Sequence, residues 1–196
     1  PAVVSVVTGW LDGEKIPAAY AGKVMTWAEV RAVSRSPRVE VLSHTHNLHH
    51  GIPANPQGNL APASITRRYD PATQGFESEA GFRRRVREDL QRAVQRLREE
   101  TGRAPPGIAW PYGHHERVLT EEAAALGMRL QLVLGDMPAR VSELPRIHRI
   151  TLRSAERLAE FEEALRAKRM SRAVRFVAIE LDAVAGGTAA EQEQWL

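Results

Sequence analysis

The stretch Arg38-Val39-Glu40-Val41-Leu42-Ser43-His44-Thr45-His46-Asn47-Leu48-His49-His50-Gly51 joins a β-branched run to a cluster of four histidines. Val39, Val41 and Leu42 favour a strand, and the polar residues that follow end it. The histidines are therefore expected at a strand's C-terminal end. Before this stretch, Ala2-Val3-Val4-Ser5-Val6-Val7, ended by Thr8-Gly9, predicts a buried strand leading into a loop. Thr26 followed three residues later by Glu29 is a capping-box signature, so a helix is expected over 27–35, with Pro37 marking its end.

Downstream, residues 51–77 are rich in Gly, Pro, Asn and Gln and show little periodicity, which reads as one long loop, functional or disordered. Ser78 can cap a helix over 79–100, where Phe82, Val86, Leu90, Val94 and Leu97 recur on one face. Gly102 and Pro105-Pro106 end it. A strand at 107–110, the turn Trp110-Pro111-Tyr112-Gly113, a helix near 117–126 stopped by Gly127 and a strand at 128–134 follow. A strand around 146–151, a helix at 154–168 and a strand at 174–181 complete the pattern. Strands alternating with helices make this an α/β chain with parallel strands. In such folds reactive groups gather at the strand C-termini, where the histidines and the Trp110 turn both fall.

The 196 residues are 43% hydrophobic, enough for one buried core and one domain, or one domain plus a fragment. The net charge of +3 is concentrated in Arg83 to Arg103, where acids interleave with the arginines. That pattern predicts a solvated helix face and argues against nucleic-acid binding. The absence of cysteine excludes disulfides and zinc-thiolate sites, leaving His, Asp and Glu to hold any metal. No apolar run approaches the roughly 20 residues of a membrane helix. The chain opens at Pro1 without Met on a Val-rich run, and a segment is expected to precede it.

Neutral imidazole binds zinc, nickel, cobalt and iron, and two histidines from one strand-to-loop segment can reach a single ion. Spacing alone leaves open which pair of His44, His46, His49 and His50 does so. The candidate acids Asp12, Asp70 and Asp136 all fall in expected loops and read as turn residues. Trp110 and Tyr112 could offer aromatic faces to a sugar ring, and the turn a fixed backbone donor to an oxyanion. Arg67 or Arg68 could hold a carboxylate.

Taken together, Ser43 to Ile52, Ala54-Asn55-Pro56-Gln57-Gly58-Asn59, Arg67-Arg68-Tyr69 and Trp110-Pro111-Tyr112-Gly113 resemble the poly-β-1,6-N-acetyl-D-glucosamine N-deacetylases of Gram-negative biofilm systems. These are polysaccharide deacetylases of carbohydrate esterase family 4. The similarity runs from about residue 1 to 150 in motif order and includes Gly9-Trp10-Leu11-Asp12 and Leu144-Pro145-Arg146.

The resemblance implies a distorted, incomplete (β/α) barrel of the polysaccharide deacetylase type. It implies a divalent metal (zinc, nickel, cobalt or iron) held by one Asp and two His, with a neighbouring Asp as general base. Carried over by position, His44 and His49 are the metal ligands, and His46 and His50 are neighbours, with His50 facing substrate. The Tyr112 backbone N–H helps hold the oxyanion, Arg67 or Arg68 orients the base, and Trp110 and Tyr112 contact the sugar. His148 lies near the position of a late general-acid His. The family's Asp-Asp motif belongs to a strand before the one that opens this chain, and no two aspartates are adjacent here. The carboxylate ligand and the base are thus expected upstream of residue 1.

By the same resemblance, residues 1–168 form the deacetylase domain. Residues 169–196 are a linker and the start of a C-terminal glycoside-hydrolase-like domain, with Arg175 to Asp182 as its first strand. The implied activity is metal-dependent N-deacetylation of poly-N-acetylglucosamine during export, in the periplasm or outer membrane as a lipoprotein, with an outer-membrane export porin as partner. The alternatives are a noncatalytic carbohydrate-binding module on the same fold and a metal-dependent hydrolase of another amide or ester.

Overall fold

The computed structural model describes residues 2–114, 116–135, 146–152 and 178–181. In chain order the elements are β1 Ala2–Val6, α1 Thr8–Leu11, α2 Trp27–Ser34, β2 Val39–Ser43, β3 Gly51–Pro53, β4 Leu60–Pro62, β5 Tyr69–Asp70 and β6 Gly75–Phe76. They continue with α3 Glu79–Thr101, β7 Gly107–Ala109, α4 Arg117–Ala125, β8 Leu130–Leu134, β9 Arg146–Leu152 and β10 Ala178–Leu181. Short 3₁₀ turns lie at Ala18–Tyr20 and Pro111–Gly113.

Local chemistry sets the helix ends. Thr26 accepts from the Glu29 N–H while the Glu29 carboxylate accepts from the Thr26 N–H at 2.7 Å, so α2 begins on the expected capping box. Ser78 accepts from the Gly81 N–H to start α3, and Gly102, at φ 79°, closes it in a left-handed conformation that favours glycine.

The strands β1, β2, β7, β8, β9 and β10 form one six-stranded sheet in that order, every pair parallel. Sequential parallel order, with helices between β1 and β2, β2 and β7, and β7 and β8, makes it an incomplete α/β barrel, as expected. Register aligns Ser43 with Ile108, Ala109 with Leu132 and Leu134 with Arg149, so the residues just past Ser43, Ala109 and Leu134 share one C-terminal rim.

Alternation along the strands makes two apolar layers. Ile108 and Val133 pack with Phe82, Val86, Leu90 and Val94 of α3 and Leu119 of α4. Leu42, Ala109, Leu132 and Ile147 pack on the opposite face, inside the curve of the sheet. The expected α3 stripe is the buried one; each such side chain contributes about 1.5–3 kcal/mol.

Residues 51–77 differ from expectation. Instead of one loop, they hold two small antiparallel hairpins, β3 with β4 and β5 with β6. Strands of two or three residues, some ending in Pro53 or Pro62, are too short to show alternation in sequence. The arginines of α3 also do more than face solvent. Arg83 and Arg87 reach Glu122 on α4 at 2.8 and 2.7 Å, and Arg96 reaches Asp12 at 2.7 Å, tying α3 to its neighbours. The helix expected at 154–168 lies outside the described residues. Of the strand expected at 174–181, residues 178–181 are described, as β10 on β9.

Candidate functional site

The histidine segment leaves β2 under an unusually complete set of backbone restraints. The His44 N–H donates to the Val6 carbonyl at 2.8 Å, and the Thr8 and Gly9 N–H groups donate to the carbonyls of Thr45 and His46 at 3.2 and 2.9 Å. The Leu48 N–H donates to Thr45 Oγ1 at 3.2 Å. From α3, Asp89 accepts from the His46 N–H at 2.9 Å and the Asn47 N–H at 2.7 Å. Burial pushes the Asp89 carboxyl up to about 6, against the pull of those two N–H groups and the Arg85 charge. Within this frame Thr45, β-branched and fully buried, sits at φ 72°, a conformation that persists only where its surroundings enforce it.

The frame brings the His44 and His49 rings together, their centroids 5.0 Å apart and their planes at 47°. His44 Nδ1 lies 2.6 Å from the Ala109 carbonyl, which fixes the tautomer with the proton on Nδ1 and leaves Nε2 as a lone-pair donor. Burial, then the nearby His49 and Arg149, hold the His44 pKa well below the ordinary imidazole range. Burial chiefly lowers His49 to about 4. Both rings are therefore neutral near pH 7, the form that ligates metal. Among the described residues no group of three His, Cys, Asp or Glu is placed to hold an ion. The pair fits part of a metal site of the Asp-His-His kind.

The turn Pro111–Gly113 meets this pair from β7. Its hydrogen bonds run from the Gly113 N–H to the Trp110 carbonyl and from the His114 N–H to the Pro111 carbonyl, at 3.1 and 3.4 Å, and neither uses the Tyr112 N–H. Tyr112 is held at φ 56°, a second strained non-glycine residue at the rim, and its ring lies 4.6 Å from that of His49. Burial, with Tyr20 nearby, pushes its hydroxyl up to about 12, so it stays protonated. Trp10 stacks on Tyr20 at 5.0 Å and meets His49 edge-on at 5.1 Å, closing an aromatic wall around that imidazole.

Of the remaining expected residues, Trp110 is the one the structure corrects. Trp110 is fully buried, with its indole N–H donating to Gln131 at 3.0 Å, so its ring faces the core and is not available to a sugar; the partly exposed indole beside the site is that of Trp10. His46 is a structural residue, with Nδ1 on Thr8 Oγ1 at 2.9 Å and Nε2 by Glu14 at 3.4 Å. His50 has its Nδ1 buried without a partner among the described residues, and burial, then Lys15 and Arg68, lower its pKa.

Arg67 donates to the Glu77 carbonyl at the outer hairpin, while Arg68 is close enough to His50 to act on it through charge. Asp12 is bound by Trp27 and Arg96, and Asp70 caps its own turn through Ala72 and Thr73, as a turn residue does. Sequence reasoning missed Asp89, Arg85 and Arg149. The first two sit four apart on α3, beside its apolar stripe, a spacing that marks one helix face. Arg149, buried on β9, donates to the Trp110 carbonyl at 2.9 Å.

An incomplete parallel barrel that gathers two neutral imidazoles and a strained Pro-Tyr-Gly turn on its C-terminal rim is a protein of the deacetylase fold. The chain belongs to the polysaccharide deacetylase family, whose model matches residues 1–131. It is 32% identical over 191 residues to the poly-β-1,6-N-acetyl-D-glucosamine N-deacetylase of Escherichia coli K12, a match covering 94% of this chain and 28% of that protein. The chain thus spans less than a third of the length of that relative. Among solved structures it resembles the BpsB deacetylase domain from Bordetella bronchiseptica, at 39% identity and TM-score 0.67, over 76% of this chain and 60% of that one. It also resembles a de-N-acetylase from Aggregatibacter actinomycetemcomitans, at 29% identity and TM-score 0.74, over 84% and 64%.

Proposed function

We propose that this chain carries the histidine half of the active site of a metal-dependent poly-β-1,6-N-acetyl-D-glucosamine N-deacetylase, which releases acetate and leaves the glucosamine amine. The observation that carries the reading is the pair His44 and His49, both neutral, 5.0 Å apart, with His44 Nε2 left open by the Nδ1 bond to Ala109. Zinc, nickel, cobalt or iron suits two imidazoles. When bound, such an ion supplies Lewis acidity toward the acetamide carbonyl.

The chain's own residues supply the rest of the surroundings. The Tyr112 N–H, left out of the turn's hydrogen bonds, is positioned to donate to the oxygen on which charge develops, and its strained backbone keeps it there without reorganisation. His50 and Tyr112 contact the sugar, and Arg68 is the arginine better placed to steady a carboxylate near His50. The reading requires a carboxylate ligand and a general base from outside the described residues. It also includes a periplasmic or outer-membrane location, an export porin as partner and a following domain, while β10 at residues 178–181 pairs with β9 within the deacetylase sheet.

Calorimetric titration of nickel, cobalt and zinc into this chain, His44→Ala and His49→Ala tests the site. Binding that is lost in both variants, with acetate release from poly-N-acetylglucosamine by the full-length protein, is the expected result. Equal binding in all three chains overturns the assignment of the pair. A noncatalytic carbohydrate-binding module becomes the better account if polymer binds without acetate release.

A further inference from the structure

We infer that Asp89 is the positioning residue of the histidine loop, setting the distance between the two metal-binding imidazoles by gripping the backbone midway between them. The inference rests on the proposed reading of His44 and His49. Asp89 touches neither ring. Its two oxygens take the N–H groups of His46 and Asn47, at 2.9 and 2.7 Å, and these are the two central residues of the six from His44 to His49. Each metal-binding histidine is thus two residues from a clamped amide.

Three features make the clamp specific to this task. A carboxylate that accepts two adjacent amides fixes both the position and the direction of the chain, as a single bond would not. The loop also needs restraint: Thr45 at φ 72° costs on the order of 1–3 kcal/mol and would relax without it. Finally, the helix that offers Asp89 is immobilised on the loop side one turn earlier. There Arg85 donates to the carbonyls of Ala63 and Thr66, each at 2.8 Å, and pairs with Glu77. Residues 85 and 89 of α3 therefore brace both loops at the rim, while Val86, Leu90 and Val94 anchor the same helix in the core.

Outer partners that orient a ligand typically change metal affinity 10–100-fold when removed. The test titrates nickel and zinc into the wild-type chain, Asp89→Asn, Asp89→Ala, His44→Ala and Val94→Ala. Val94→Ala loosens the same helix five residues past Asp89, in the core, and hydrogen exchange at the His46 and Asn47 amides is followed in the first two. Asp89→Asn keeps the shape but loses one acceptor, so about tenfold weaker binding is expected, with faster exchange at one or both amides; Asp89→Ala should approach a hundredfold.

Val94→Ala should lower the unfolding temperature yet bind within about twofold of wild type. Binding within twofold of wild type in both Asp89 variants overturns the proposal while leaving the histidine site intact, provided His44→Ala has lost binding. An equal loss in Val94→Ala also overturns it, because general loosening would then suffice. If His44→Ala binds as wild type does, the underlying reading fails instead. Should Asp89→Ala not fold, the isosteric Asp89→Asn decides alone.

Discussion

Replacing Gln131 with Leu removes the acceptor of the Trp110 indole N–H, a 3.0 Å bond between two side chains at 0% exposure. With no water to take over, the orphaned donor costs about 1–3 kcal/mol. Gln131 Nε2 also donates to the Thr120 carbonyl at 3.1 Å, but Thr120 lies within α4, where the carbonyl serves the helix ladder as well. The loss from Gln131→Leu should therefore be about 2 kcal/mol. Trp110→Phe removes the donor and shrinks a filled volume, again costing about 2 kcal/mol.

In the double variant no donor remains to be orphaned, so its total loss should fall at least about 1 kcal/mol short of the sum. Urea denaturation of the four chains, followed by far-ultraviolet circular dichroism, measures this coupling directly. Losses that add to within about 0.5 kcal/mol would show that the bond contributes nothing specific, and that Trp110 is held by shape alone.

Three further outcomes are expected. Gly9→Ala places a Cβ 2.6 Å from the His46 carbonyl oxygen, a backbone atom with little room to move, so calorimetry should show metal binding at least tenfold weaker; unchanged binding would mean the loop yields freely. The Asp89 carboxyl titrates near 6 in the fold against an ordinary 3.8, so its contribution to stability is full below about pH 4 and lost as pH rises through about 6. About two units amount to about 3 kcal/mol, and Asp89→Asn should remove that part of the slope; parallel stability profiles for the two chains between pH 4 and 7 would contradict this. Thr26→Ala removes the side-chain half of the capping box on α2, the Oγ1 acceptor for the Glu29 N–H, while the backbone half remains, and should cost about 1 kcal/mol in chemical denaturation, whereas a cost near zero would assign the start of α2 to packing alone.

The alternation of strands and helices was legible because each main element carries a local signal. Thr26 with Glu29 starts α2, Ser78 and Gly102 bound α3, and the Val86, Leu90, Val94 stripe declares its buried face. The hairpins in residues 51–77 were not legible, since two-residue strands such as Tyr69–Asp70 are defined by their partners. In the site, the histidine cluster announced itself by density, but the choice of pair came from the family resemblance. Their roles separate only through distant contacts: Thr8 and Glu14 occupy His46, while Ala109 orients His44. Trp110 misled because a tryptophan before a Pro-Gly turn looks the same in sequence whether it faces core or solvent. Asp89 was invisible for a related reason. Its task is set by amides more than forty residues away in the chain, and nothing near it in sequence records them.

The contact between Trp10 and His49 gives the protein an optical reporter. Their ring centroids are 5.1 Å apart, and Trp10 is one of four tryptophans, with Trp110 sealed in the core and Trp27 engaged with Asp12 and Arg96. An open-shell ion such as nickel or cobalt bound through His49 would quench the Trp10 emission at close range, whereas closed-shell zinc would leave it bright. Two metals that calorimetry finds equally tight would then be told apart by emission intensity, and a Trp10→Phe chain would separate that signal from the emission of the other three indoles.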